Sequence, residues 1–245
     1  MFLILNVVVG AVCGIIINYF SDVLPISRRI TQPMCTECGQ LFLIKEYLFS
    51  NKCSNCGSRK PIRSTIVLIG SVVVSILLYF FPFSIFSFWA TLPILIFLGV
   101  VLVIDIEHRL VLFKTSIPGF VLCLIYGVIM KGFSGALYGA LAGFIIMLIF
   151  YFLGITFNAI IGKIRHQEID EVAFGFGDVS IGTILGLLTG WPSIAGAIII
   201  AILAFGVFSL VLILTLVLSK RYQAFANALP FAPFLILGTM VLFYL

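Results

Sequence analysis

The sequence predicts an all-α, polytopic membrane protein of about eight transmembrane helices with a small cytoplasmic zinc-knuckle loop. Three observations predict it. Of 245 residues, 62% are hydrophobic and only 9% are charged, against about half and a quarter in soluble domains. Mean hydropathy is +1.30. The apolar residues come in repeated runs of about 20, the length a helix needs to cross hydrocarbon while satisfying its own backbone. A barrel would show short alternating strands instead.

Eight apolar segments follow in order: 1–20, 64–82, 86–104, 117–131, 134–161, 179–191, 192–218 and 229–245. The first, MFLILNVVVGAVCGIIINYF, lacks a basic start and a small-residue cleavage site, so it reads as a span and not as a removable signal. The sixth is short, as expected of a partial or tilted span. Gly135, Gly139 and Gly143 lie four apart in the fifth, and Gly182, Gly186 and Gly190 do so in the sixth. Such rows let helix backbones approach closely. The expected organisation is a first transmembrane helix over 1–24, a polar loop over 25–63 and a membrane domain of about seven helices over 64–245.

The formal net charge of +5 marks topology, not a nucleic-acid partner. Thirteen of the fourteen Lys and Arg fall on one side if eight spans alternate, in the groups Arg28 to Arg63, Arg109 with Lys114, Lys163 with Arg165, and Lys220 with Arg221; only Lys131 falls opposite. The positive-inside rule places these loops in the cytoplasm and both termini outside. The expected location is the cytoplasmic (inner) membrane, surrounded by membrane lipid.

Six cysteines are present. Cys13 and Cys123 lie within apolar spans and read as small buried hydrophobes. Cys35, Cys38, Cys53 and Cys56 form two C-x2-C pairs fourteen residues apart, each followed directly by glycine. Two such knuckles supply the four thiolates of a structural zinc site. Disulfides or free thiols are the alternative, and a reducing cytoplasmic loop disfavours disulfides. With four protein ligands, the zinc would be structural.

Nine acids are present. Most lie where solvation accounts for them, but Asp105 directly follows the apolar run LPILIFLGVVLVI, and Asp178 opens the sixth segment after Gly175 and Gly177. Both fall at the cytoplasmic ends of their helices, where an acid at membrane depth is costly enough to be a functional candidate. Taken singly, Asp178 reads equally well as a helix N-cap and Asp105 as an interfacial charge near Arg109. Taken together they form a pair. Two carboxylates in one site hold a proton between them, so one can take a proton from water while the other donates to a carbonyl oxygen. That is the chemistry of aspartyl peptide hydrolysis.

Several motifs resemble those of the type IV prepilin peptidases. GFGD at Gly175–Asp178 matches the GxGD signature of intramembrane aspartyl proteases. VIDIEHRLV at 103–111 with TSIPG at 115–119 is similar to the family's first aspartate motif, ALPFAPFLILG at 228–238 to its closing segment, and the paired C-x2-C loop to its loop after the first span. The resemblance implies an aspartic endopeptidase that removes the basic leader from type IV prepilin or pseudopilin precursors at the cytoplasmic face. Asp105 and Asp178 would be catalytic, and Gly175 and Gly177 would let substrate pass close to the second acid. Glu107, with Glu168, Asp170 and Glu171, would face the basic leader. The chain departs from the family at Leu112-Phe113, where a Pro-Asp pair is common, and at Ser180, where a lysine is frequent. Its interval between cysteine pairs, GQLFLIKEYLFSNK, is shorter than in bifunctional members and lacks their Asn-Ile-Pro segment. The S-adenosylmethionine-dependent methylation of those members is therefore not carried over.

Two other classes compete. A proton-coupled transporter would use the two acids as a relay, with acids near the bilayer midplane and repeat symmetry, neither of which the sequence displays. A non-catalytic membrane scaffold binding a partner through its zinc loop would tolerate change at either aspartate.

Overall fold

The computed structural model describes residues 2–27, 30–35, 37–42, 46–47, 52–83, 87–165, 175–219 and 229–244. The acids Glu168, Asp170 and Glu171 and the basic residues Arg28, Arg29, Lys45, Lys220 and Arg221 lie outside the described residues. Among the described residues are seven helices and no strand: α1 Phe2–Ser27, α2 Ile62–Phe80, α3 Phe88–His108, α4 Phe113–Arg165, α5 Phe176–Thr189, α6 Ser193–Leu218 and α7 Ala232–Leu242. Five of them are long and apolar enough to cross a membrane, while α5 and α7 are shorter apolar helices.

The expected count of eight spans is not confirmed, since seven helices are described and five of them are long enough to cross. The segments 117–131 and 134–161 are one 53-residue run, α4, broken at Gly132. There the backbone takes φ 75°, ψ 165°, which only glycine adopts without strain. The break falls where the sequence separated two spans.

The chain forms two compact units, Met1–Ile104 and Asp105–Leu245. In the first, α1 and α2 run antiparallel in close contact. Gly10 of α1 faces Val72 so nearly that an added Cβ would lie 2.7 Å from its Cα. Polar pins hold both ends: Ser75 Oγ donates to the Asn6 carbonyl at 3.0 Å, and Asn18 Nδ2 donates to the Ser64 carbonyl at 2.9 Å. Such bonds fix register where lipid and apolar packing alone would not. Outward-facing Leu3, Ile4, Ile62, Ile66 and Ile69 remain exposed, as lipid-facing positions must.

In the second unit α5 is the centre. Ten of its fourteen residues are buried. At 1.5 Å per residue it rises only about 21 Å, less than the ~30 Å of hydrocarbon, but protein and not lipid surrounds it. Both halves of α4 clasp it through glycine. An added Cβ would lie 1.9 Å from the Leu187 carbonyl oxygen at Gly127, 2.3 Å from that of Gly186 at Gly139, and 2.3 Å from that of Gly182 at Gly143. The glycine rows of the sequence are therefore one contact surface. A parallel device joins α6 to α7, where Gly238 packs on the Ala197 carbonyl and Phe205 meets Phe231 and Phe234 edge-on. The result holds the start of α5 and the start of α7 in fixed places.

Candidate functional site

Asp178 is the third residue of α5, whose N-cap is Gly175 in an extended conformation. The Gly175 amide donates to Asp178 Oδ2 at 3.0 Å, and the Asp178 amide donates to the Gly175 carbonyl at 3.0 Å. The acid is therefore not the N-cap itself; it reaches back to the cap from inside the first turn, where the helix dipole favours negative charge. The residue is 9% exposed.

Asp105 lies in the last turn of α3 and is 5% exposed. The Ala232 amide, at the first turn of α7, is directed at its carboxylate, and the charge of Arg109 acts on it. Each carboxylate thus takes one backbone amide from a helix N-terminus. Among the described residues, Asp105 Oδ2 is buried with no hydrogen-bond partner. A buried carboxylate oxygen left unpaired is expensive, and such groups concentrate where a ligand or a proton is to be received.

The two acids feel one another's charge and open onto one cleft of about 320 Å³. Its wall comes from three stretches: Asp105 with Arg109 to Val111, Gly175 to Asp178, and Leu229 to Phe231. Gly175 and Gly177 play different parts. Gly175 is exposed, and among the described residues only its own helix start lies within 4 Å of an added Cβ. Gly177 is occupied by the chain itself, for an added Cβ would lie 2.7 Å from Val111 Cγ2. Phe176 between them rests edge-on against Tyr151 of α4. Glu107 is outside this wall, on the exposed end of α3 beside His108 at 3.8 Å.

Two contributors were not legible as site residues. Arg109 ends α3 with φ 51°, a left-handed conformation unusual for a side chain of its size, while its amide still donates to the Asp105 carbonyl at 2.9 Å. The turn aims the chain from the buried acid back along the cleft. Ala232 contributes only its amide, which leaves no mark in a sequence beyond the helix start after Pro230.

The four loop cysteines come together as expected. Their sulfurs all lie within 4.8 Å of one another, and no disulfide links them. Each pair folds the same way. The amide of Cys35 donates to Gln40 and that of Gly39 to Cys35, while Cys53 donates to Ser58 and Gly57 to Cys53, at 2.8–3.0 Å. Gly39 and Gly57 take φ 70° and 68° to close these turns. The Sγ separations are 3.7 Å for Cys35 with Cys56 and 3.8 Å for Cys38 with Cys53. A tetrahedron of thiolates at the usual Zn–S distance of ~2.3 Å has edges of about 3.8 Å, so the set is compatible with zinc. Ser58 Oγ lies 3.4 Å from Cys35 Sγ. Its hydroxyl, followed by the amides of Cys38 and Glu37, brings the Cys35 thiol down to about 6, which suits a metal ligand.

Residues 92–210, which hold both buried acids, match the type IV leader peptidase family. No curated protein and no solved structure matches the chain.

Proposed function

Residues 92–210 match the type IV leader peptidase family, and from that premise we propose that the chain is a membrane aspartyl endopeptidase that cleaves the basic leader from type IV prepilin-like precursors at the cytoplasmic face. The observation that carries the reading is the convergence of Asp105 and Asp178, both buried, on one cleft within the matched region. Gly175, exposed among the described residues, lines this cleft, where an extended substrate backbone would pass. One carboxylate, ionised, takes a proton from water as the water oxygen bonds to the scissile carbonyl carbon. The other, protonated, gives its proton to the carbonyl oxygen. When the tetrahedral intermediate collapses, the C–N bond breaks, the amine nitrogen takes a proton, and the pair is left sharing one proton again. The amides of Gly175 and Ala232 orient the two carboxylates throughout.

The knuckle loop would carry a structural zinc on Cys35, Cys38, Cys53 and Cys56. The ion would cross-link the two turns and take no part in hydrolysis, since protein fills all four positions.

The test is leader removal in membranes co-expressing a prepilin-like substrate. Asp105→Asn and Asp178→Asn should each abolish it while the protein still inserts. Asn keeps size and hydrogen bonding but cannot hold the proton. Because the acids act as one unit, the double variant should be no worse than either single one. Substantial cleavage by Asp178→Asn would discard the aspartyl mechanism in favour of the scaffold reading.

A further inference from the structure

Two neighbouring cavities flank the loop end of α1, in the first compact unit. The smaller, about 220 Å³, brings Asn18, Lys60, Ser64 and Thr65 into a wall that also holds Ile15 and Leu68. The larger, about 490 Å³, is walled by Ile15, Ile16, Tyr19, Phe20, Gln32 and Pro33 together with Tyr47. Ile15 and Tyr47 line both, so the two cavities are neighbours along one side of the helix.

The charges around the smaller cavity are unequally satisfied. Asp22 is engaged by Arg63 and by the Tyr47 hydroxyl. Lys60 is held by Tyr47: its ammonium donates to the Tyr47 carbonyl and sits 4.6 Å from the centre of the Tyr47 ring. Burial holds this ammonium below its ordinary pKa, with Asp22 acting in the opposite direction. A nearby anion would offset that cost. Asn18 spends its Nδ2 on the Ser64 carbonyl, while its buried Oδ1 has no partner among the described residues. The wall thus offers a cation and an unspent acceptor beside an apolar slot.

We propose that these neighbouring cavities together bind one glycerophospholipid whose head group carries both a phosphate and a hydrogen-bond donor. The phosphate pairs with Lys60, the donor meets Asn18, and an acyl chain lies along Ile16, Tyr19 and Phe20. A free phosphate compound would leave the apolar slot unfilled, and a neutral apolar ligand would leave Lys60 unmatched. The site ties α1, α2 and the knuckle loop to the bilayer surface, where anionic head groups attract basic residues.

Native mass spectrometry of the purified full chain, titrated with phosphatidylglycerol and phosphatidylcholine of identical chains, tests this. One phosphatidylglycerol should bind about five-fold more tightly than phosphatidylcholine, the worth of roughly one basic contact. Lys60→Gln should erase that preference, and Ile16→Trp, which fills the slot, should weaken both lipids. Lys131→Gln should behave as the parent, and soluble glycerol 3-phosphate should not compete. Should Ile16→Trp fail to elute as a single species, Asn18→Leu replaces it, with loss of the preference expected. Phosphatidylglycerol bound equally well by the parent and Lys60→Gln, or displaced by glycerol 3-phosphate, would overturn the proposal.

Discussion

Adding a single methyl at Gly139 should disable a site whose acids it never touches. The Cβ of Gly139→Ala would lie 2.3 Å from the Gly186 carbonyl oxygen and 2.5 Å from Gly190 Cα, where ordinary contact begins near 3.4 Å. The shortfall is about 1.1 Å, and because both obstacles are backbone, no side chain can swing aside. The helices α4 and α5 must separate, at the roughly 1–3 kcal/mol typical of overpacking. Asp178 precedes Gly186 by eight residues, about 12 Å along a rigid helix, so a shift of this order reaches the carboxylate. A misplacement of about 1 Å costs on the order of 10²-fold in rate, or roughly 2.7 kcal/mol of barrier. Two companions calibrate the result. Gly182→Ala meets the Met147 side chain at 2.5 Å but no backbone of another helix closer than 3.5 Å, so a flexible thioether yields and the loss is intermediate. Gly206→Ala meets nothing within 4 Å and should be silent. The assay is leader cleavage by purified protein in bilayers, with thermal unfolding measured in parallel. If Gly139→Ala cleaves as fast as Gly206→Ala and unfolds at the same temperature, the glycine clasp does not position Asp178.

Further outcomes follow from the loop and the cleft edge. Metal analysis of reduced protein should find about one zinc per chain, and Cys35→Ala should lose it; a metal-free preparation would refute the site. Arg109→Val should be less stable than Arg109→Gly by about 1–2 kcal/mol, the cost of a left-handed conformation for a side chain with Cβ, as read by thermal unfolding. Both variants remove the same charge, so the difference isolates the backbone. Glu107→Lys should raise KM for a basic leader at low salt while sparing kcat, and the effect should fade by 1 M salt, where the screening length is about 3 Å.

How much of this was legible follows from which groups carry the structure. Glycine rows at Gly135–Gly143 and Gly182–Gly190 were readable because four-residue spacing marks one helix face, and that face is the contact. The cysteine knuckles were readable because ligand type and spacing are covalent facts of the chain. The expected pairing of Asp105 with Asp178 followed from the charge topology, which puts the end of one apolar run and the start of another on the same face. The amide of Ala232 and the left-handed turn at Arg109 were not readable, since both are backbone features with no characteristic side chain. The number of spans was only partly readable, because hydropathy does not distinguish a helix wrapped by protein, such as α5, from one wrapped by lipid.

The two cysteine turns also bear on how such a protein can change over evolutionary time. Each turn closes on itself within six residues through its own amides, and none of the described residues between Cys38 and Cys53 joins the ligand cluster. The described residues at the ends of the interval belong to the turns themselves, through Gln40 and Leu41 on one side and Lys52 on the other, and Tyr47 anchors its middle. Doubling the length of a loop costs only about 0.6 kcal/mol of closure entropy. The interval is therefore a port at which new sequence can be spliced in without disturbing the cross-link or the membrane helices on either side.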